Sequence, residues 1–147
     1  MGGPIGKKLE KEAERLLEKG VLKIRPIFGF YSLPELQAIY RDAADLYIHC
    51  ATVEVEGLGC TEAIRTGLVP IIAKGRLTAT AQYALSENSK YPERNARTLA
   101  ARIDYWLGDD ARRRAESEKY RGIGDKYDIS HSIDALIKFY RDAVAMP

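Results

Sequence analysis

The sequence is short of the residues that build metal and redox centres, with two cysteines and two histidines among 147 residues. Cys50 and Cys60 have no Cys-x-x-Cys spacing, and neither His49 nor His131 completes a ligand cluster with them, so no metal is expected. The cysteines read as reduced packing residues. An excess of charge of one sign is also lacking. A net charge of +2 gives no strong field for nucleic acid, and no nucleic-acid partner is expected. No apolar run approaches the roughly 20 residues that span a bilayer, and the N-terminus has no signal-peptide core, which makes the cytoplasm the expected compartment. Gly 12 and Pro 6 are too few to point to disorder, and no repeat or low-complexity tract is visible.

What remains is the composition of one soluble domain, read as spanning residues 1–147, of a size that buries roughly two-thirds of its unfolded surface. From Lys7 to Lys19 the apolar residues Leu9, Ala13, Leu16 and Leu17 recur at helical spacing, and Gly20 is a natural stop. Val21 to Phe30 reads as a short strand turning at Gly29, with Pro26 at an edge. Ser32-Leu33-Pro34-Glu35 has the form of a capping box, opening a helix whose stripe is Leu36, Ile39, Tyr40 and Ala43. Ala44–Cys50 is a short apolar run suited to a strand buried on both faces, and Val69–Ala73 is the next strand, with Pro70 tolerable near its first position. Between them, Cys60–Arg65 is predicted helical and closed by Gly67.

Further on, Thr78–Ala84 reads as a short helix and Ser86–Asn95 as a polar connection. Thr98–Leu107 is a helix bearing Leu99, Ile103, Trp106 and Leu107, continued by a charged helix over Asp109–Lys119. Ile133–Val144 closes the chain with a stripe of Leu136, Ile137, Tyr140 and Val144. The alternation of helix and strand predicts an α/β fold, a Rossmann-like parallel sheet with flanking helices and right-handed crossovers. Ligands of such sheets sit at the carboxyl ends of the strands.

That placement gives meaning to the stretch Glu54-Val55-Glu56-Gly57-Leu58-Gly59-Cys60-Thr61-Glu62. The spacing of its outer glutamates is not distinctive, because Glu10 and Glu18 repeat it in a plain amphipathic helix. Context separates the two: a buried strand ends before Glu54, glycines follow, and a helix begins before Glu62. The backbone amides of Gly57, Leu58 and Gly59 would then stand at a helix N-terminus, where free N–H groups and the helix dipole favour a phosphate. Glu62 could accept hydrogen bonds from paired sugar hydroxyls, since a carboxylate accepts without donating. On physical grounds alone a second reading stays open, in which Glu54, Glu56 and Glu62 are solvated residues answering the dipole.

The stretch, followed by Ala63, Gly67 and Pro70-Ile71-Ile72, resembles the E-x7-E region of glycosyltransferase family 4 (group 1), the retaining GT-B enzymes. Phe28-Gly29, Glu35-Leu36, Tyr40 and Ala44-Asp45-Leu46-Tyr47-Ile48 precede it in the family's order, and Leu99-Ala100, Ile103 and Tyr140 follow. The resemblance implies a partial GT-B C-terminal domain that binds a nucleotide-sugar donor and needs no metal. Glu54 would be the catalytic glutamate contacting the transferred sugar. Gly57, Leu58 and Gly59 would meet the sugar and diphosphate through their amides, and Glu62 would bind the ribose. The implied reaction is transfer of a hexose to an acceptor hydroxyl with retention, in which positioning and electrostatic stabilisation dominate.

Glu56 departs from the family pattern, which has an aromatic residue there. Glu54-Val55-Glu56, Ile72-Ala73, Thr78–Leu85 and Ile103–Leu107 are most similar to a bacterial subgroup that glucosylates membrane lipids, including sterols. UDP-glucose is then the expected donor, a lipid hydroxyl the acceptor, and the inner membrane face a place of peripheral attachment. The family's Gly-Arg turn, its downstream lysine and its N-terminal domain have no counterpart before Gly2-Gly3-Pro4. The chain alone is therefore expected to be inactive, its missing N-terminal domain or a second chain acting as partner. His49 and His131 are assigned structural roles. Two other classes compete with donor binding: a non-catalytic half-domain serving as an assembly module, and part of a GT-B-type sugar epimerase.

Overall fold

The computed structural model of the chain describes residues 6–145; the opening Gly2-Gly3-Pro4 lies outside them. The chain divides into two compact units, Met1–Leu36 and Gln37–Pro147.

In the first unit, helix α1 covers Gly6–Glu18 and buries Ala13. It ends where Gly20 turns to φ +68° and donates its N–H to Leu17 O at 2.9 Å. The expected strand over Val21–Phe30 is not formed. A strand exists by virtue of its ladder, and none of the described strands pairs with this segment. Val21, Ile24, Ile27 and Phe30 are accordingly exposed.

Helix α2, Leu33–Asp42, spans the division between the units. Its capping box is only half as expected. Glu35 accepts from both the Ser32 N–H (2.8 Å) and the Ser32 hydroxyl (2.7 Å), so the hydroxyl serves the carboxylate rather than a backbone amide. These two donors hold the Glu35 carboxyl below its usual range. Leu36, Ile39 and Tyr40 are half-buried, whereas Ala43 is exposed.

The second unit is built on a parallel sheet. Strands β1 (Leu46–His49), β3 (Val69–Lys74) and β5 (Lys90–Pro92) lie in the order β1-β3-β5, and a separate pair joins β2 (Val53–Glu54) to β4 (Leu77–Thr78), also parallel. Helix α3, Leu58–Arg65, makes the crossover from β1 to β3. It closes in a Schellman motif: Gly67, at φ +88°, donates to Ile64 O at 2.8 Å, and Leu68 donates to Ala63 O at 3.2 Å.

Strand β3 is central and Val69–Ala73 are buried throughout, whereas β1, expected to be covered on both faces, keeps Leu46–Ile48 only half-buried because it stands at the edge of the described three-stranded sheet. Cys60, Ile64, Tyr83, Tyr91, Trp106 and Tyr120 complete the core around β3, each large aliphatic side chain of the core contributing about 1.5–3 kcal/mol by leaving water. The Thr78–Ala84 segment contains a 3-10 turn at Thr80–Tyr83 rather than a longer helix.

Strand β5 falls inside the segment read as a polar connection. It pairs in parallel with β3 and is flanked by helix α4 (Ala96–Leu107). From there Arg102 donates to Lys90 O (3.2 Å) and Asn88 Oδ1 (2.6 Å), and the Trp106 indole donates to Asn88 O (3.0 Å). Asn95 caps α4 by accepting from the Thr98 N–H, and Asp109 caps helix α5 (Asp110–Gly124) by accepting from the Arg112 N–H. α5 lies against α3: a Cβ on Gly124 would stand 2.6 Å from Arg65 Cα. The last helix, α6 (Ile129–Val144), has no buried residue, so the stripe of Leu136, Ile137, Tyr140 and Val144 faces outward rather than into a core.

Candidate functional site

The segments leaving β1 and β3 converge beyond the carboxyl ends of those strands. Their convergence forms the β2–β4 pair, in which Val53 aligns with Leu77 and Glu54 with Thr78. The Ala79 N–H donates to Glu54 O at 3.0 Å. Glu54 is thus fixed through its backbone, while its half-exposed carboxylate reaches toward the sheet and stands 4.0 Å from His49 Nε2.

After Glu54 the chain passes the exposed Val55 and Glu56 and turns at Gly57, φ +67°, which is the N-cap of α3. No side chain caps this helix. The first amide of the turn to find a backbone acceptor is that of Cys60, donating to Gly57 O at 2.8 Å. The N–H groups of Gly57, Leu58 and Gly59 precede it, at the positive end of the helix dipole. Gly57 is buried, Leu58 exposed and Gly59 half-buried.

Two contacts explain the glycines. A Cβ on Gly57 would stand 2.1 Å from the Thr80 methyl, and one on Gly59 would stand 3.1 Å from the Tyr47 hydroxyl. Glu56 takes part through its backbone, its carbonyl accepting from the Tyr83 hydroxyl at 3.1 Å. Thr78 and Thr80 share a hydroxyl hydrogen bond of 2.6 Å. The segment that follows β4 therefore shapes the glycine turn that follows β2.

Glu62 lies within α3, half-buried. Its charge and that of Glu54 both act on Tyr47. Burial, aided by the negative charge of both glutamates, keeps the Tyr47 phenol protonated well above its ordinary range. Tyr40 is raised by burial and again by Glu62, and its ring meets that of Tyr47 edge-on at 5.7 Å.

The sequence reading passed over Tyr47, His49 and Thr80 as parts of this site. A lone histidine at the end of an apolar strand carries no spacing pattern. The contact of Thr80 with Gly57 depends on a two-residue pairing, too short for any periodicity. Among the described residues no group of three or more His, Cys, Asp or Glu is placed to hold a metal ion, and no helix is long and apolar enough to cross a membrane.

Residues 2–122 match the family model described as glycosyl transferases group 1. The catalytic domain of cholesterol-alpha-glucosyltransferase from Helicobacter pylori, known from its crystal structure, is similar in both sequence and fold. It is 37% identical, with a TM-score of 0.76, over 86% of this chain and 75% of its own. No curated protein matches.

Proposed function

The chain belongs to the group 1 glycosyl transferases and has the Rossmann-like architecture of a GT-B domain, and from that premise we propose that it is the donor-binding part of a retaining hexosyltransferase using UDP-glucose. The observation that carries this reading is the glycine turn after β2, which sets an uncapped helix N-terminus between Glu54 and Glu62 at the carboxyl end of a parallel sheet. The amides of Gly57, Leu58 and Gly59 suit the sugar and diphosphate, Glu62 suits the paired ribose hydroxyls, and Glu54 meets the transferred glucose.

The reaction breaks the bond from the anomeric carbon to the diphosphate and forms one to an acceptor oxygen. Charge separates between an oxocarbenium-like sugar and the leaving diphosphate, so the work of the site is to position and to stabilise. Glu54 faces the positive part and the α3 dipole the negative part. An α-glucoside is the product named for the Helicobacter pylori relative. Since UDP-glucose is itself α-linked, the same outcome here means retention. That relative's acceptor, cholesterol, supports a lipid or sterol hydroxyl as acceptor, reached by peripheral contact at the cytoplasmic face of a membrane. The acceptor side is completed by a second Rossmann domain, in the same polypeptide or in a partner chain.

Calorimetric titration with UDP and UDP-glucose tests the reading. The expected result is binding of both, with Glu62→Ala weakening both by about tenfold or more, as loss of a charged hydrogen-bond acceptor does. A folded sample that binds neither nucleotide, or whose binding ignores Glu62→Ala, would overturn it.

A further inference from the structure

His49 ends β1 with only 8% of its surface exposed. Its Nδ1 lies 3.3 Å from the Tyr47 hydroxyl, and the two rings stack at 6.0 Å. Its Nε2 is buried without a hydrogen-bond partner, and the charged group it faces is Glu54, 4.0 Å away. An unsatisfied buried polar atom costs about 1–3 kcal/mol. It is kept at the strand end where the proposed donor site begins.

The tautomer follows from the neighbours. Tyr47 keeps its proton and can donate it to Nδ1. A neutral imidazole carries one donor and one acceptor, so Nε2 then bears the hydrogen. The opposite arrangement would set a lone pair against the Glu54 carboxylate. Burial lowers the pKa of His49, against the pull of Glu54, which favours the neutral ring.

We infer that His49 is a positioning residue for Glu54: its Nε2–H, oriented by the Tyr47 hydroxyl, is the donor that closes onto the Glu54 carboxylate when the hexose of the donor occupies the site. This inference rests on the donor-binding reading. It assigns to His49 a contribution that depends on the sugar and not on the nucleotide. The closing hydrogen bond leaves the other Glu54 oxygen to the sugar and restricts the carboxylate to one orientation.

The test compares UDP and UDP-glucose on the full chain. His49→Leu keeps the strand apolar and removes the donor; it is expected to weaken UDP-glucose about tenfold while leaving UDP unchanged, the unchanged UDP affinity reporting an intact fold. His49→Gln, which retains an N–H donor, is expected to recover most of the loss. Nitrogen-15 spectra of the imidazole should show the Nε2–H form, shifting on addition of UDP-glucose and not of UDP. Unchanged UDP-glucose affinity in His49→Leu, an equal loss for both nucleotides, or an Nδ1–H tautomer overturns the inference and leaves donor binding standing. A wild-type chain that binds neither nucleotide overturns both.

Discussion

The methyl group of Thr80 occupies the space where Gly57 would carry a Cβ: an added carbon there would lie 2.1 Å from Thr80 Cγ2. Gly57 is therefore constrained twice, by this methyl and by its φ of +67°. Gly57→Ala should destabilise the chain by about 1–3 kcal/mol, seen as a lower urea midpoint. Thr80→Ser in the same background removes the clashing methyl and keeps the hydroxyl bonded to Thr78. It should return part of the loss but not the share due to positive φ. Equal midpoints for Gly57→Ala with and without Thr80→Ser would show that the methyl is not the obstacle.

The two thiols should be separable by reactivity. Cys50 is exposed, while Cys60 is fully buried in the core and burial pushes its thiol up to about 12. A thiol reagent at neutral pH is expected to modify Cys50 in the folded chain and Cys60 only under denaturant, since the thiolate is the reacting form. Peptide mass mapping after timed labelling distinguishes them, and labelling of both at one rate in native buffer would contradict the core placement.

Alkaline pH should act through that same thiol. Below about pH 8.5 both the folded and unfolded forms of Cys60 are protonated and its contribution to stability is complete. Above this, the unfolded thiol ionises while the folded one keeps its proton until about 12. Stability is therefore lost as pH rises through this window, by up to about 1.4 kcal/mol per pH unit. Tyr47 and Tyr120, also raised by burial, add to the loss at higher pH. Urea midpoints at pH 8 and pH 10 should differ less in Cys60→Ala than in the wild type.

Trp106 is the one tryptophan of the sequence. It is 2% exposed and donates its indole N–H to Asn88 O at 3.0 Å. Its fluorescence should be blue-shifted in the folded chain and move to the red on unfolding. Trp106→Phe removes the donor and leaves the Asn88 carbonyl without this partner, at an expected cost of about 1–3 kcal/mol. Circular dichroism follows that variant, and an undiminished melting temperature would mean that the indole bond does not hold the Asn88 turn to α4.

The legible parts of the fold were those that a single element declares locally. The buried strand β3 announced itself by a continuous apolar run, and α4 by the spacing of Leu99, Ile103, Trp106 and Leu107. Lys90–Pro92 carries no such signal, because β5 is held by its ladder with β3 and by Arg102 from a later helix. Val21–Phe30 carries a strand-like composition, yet it belongs to neither of the described sheets. At the candidate site, Glu54, Glu62 and the glycines could be picked out from the strand end, the turn and the family resemblance. Tyr47, His49 and Thr80 could not, since their roles lie in contacts across strands and not in spacing along one.

The Tyr83 hydroxyl donates to Glu56 O, and the Ala79 N–H donates to Glu54 O. Two stitches thus join the β1-exit loop to the loop leaving β3, one on each side of Val55. The loops are consequently a single mechanical object. A perturbation entering at Thr78–Tyr83 would reach the Gly57 turn through these two hydrogen bonds. If the turn holds a donor as proposed, substitutions in the 78–83 stretch would alter its affinity with every glutamate and glycine left in place.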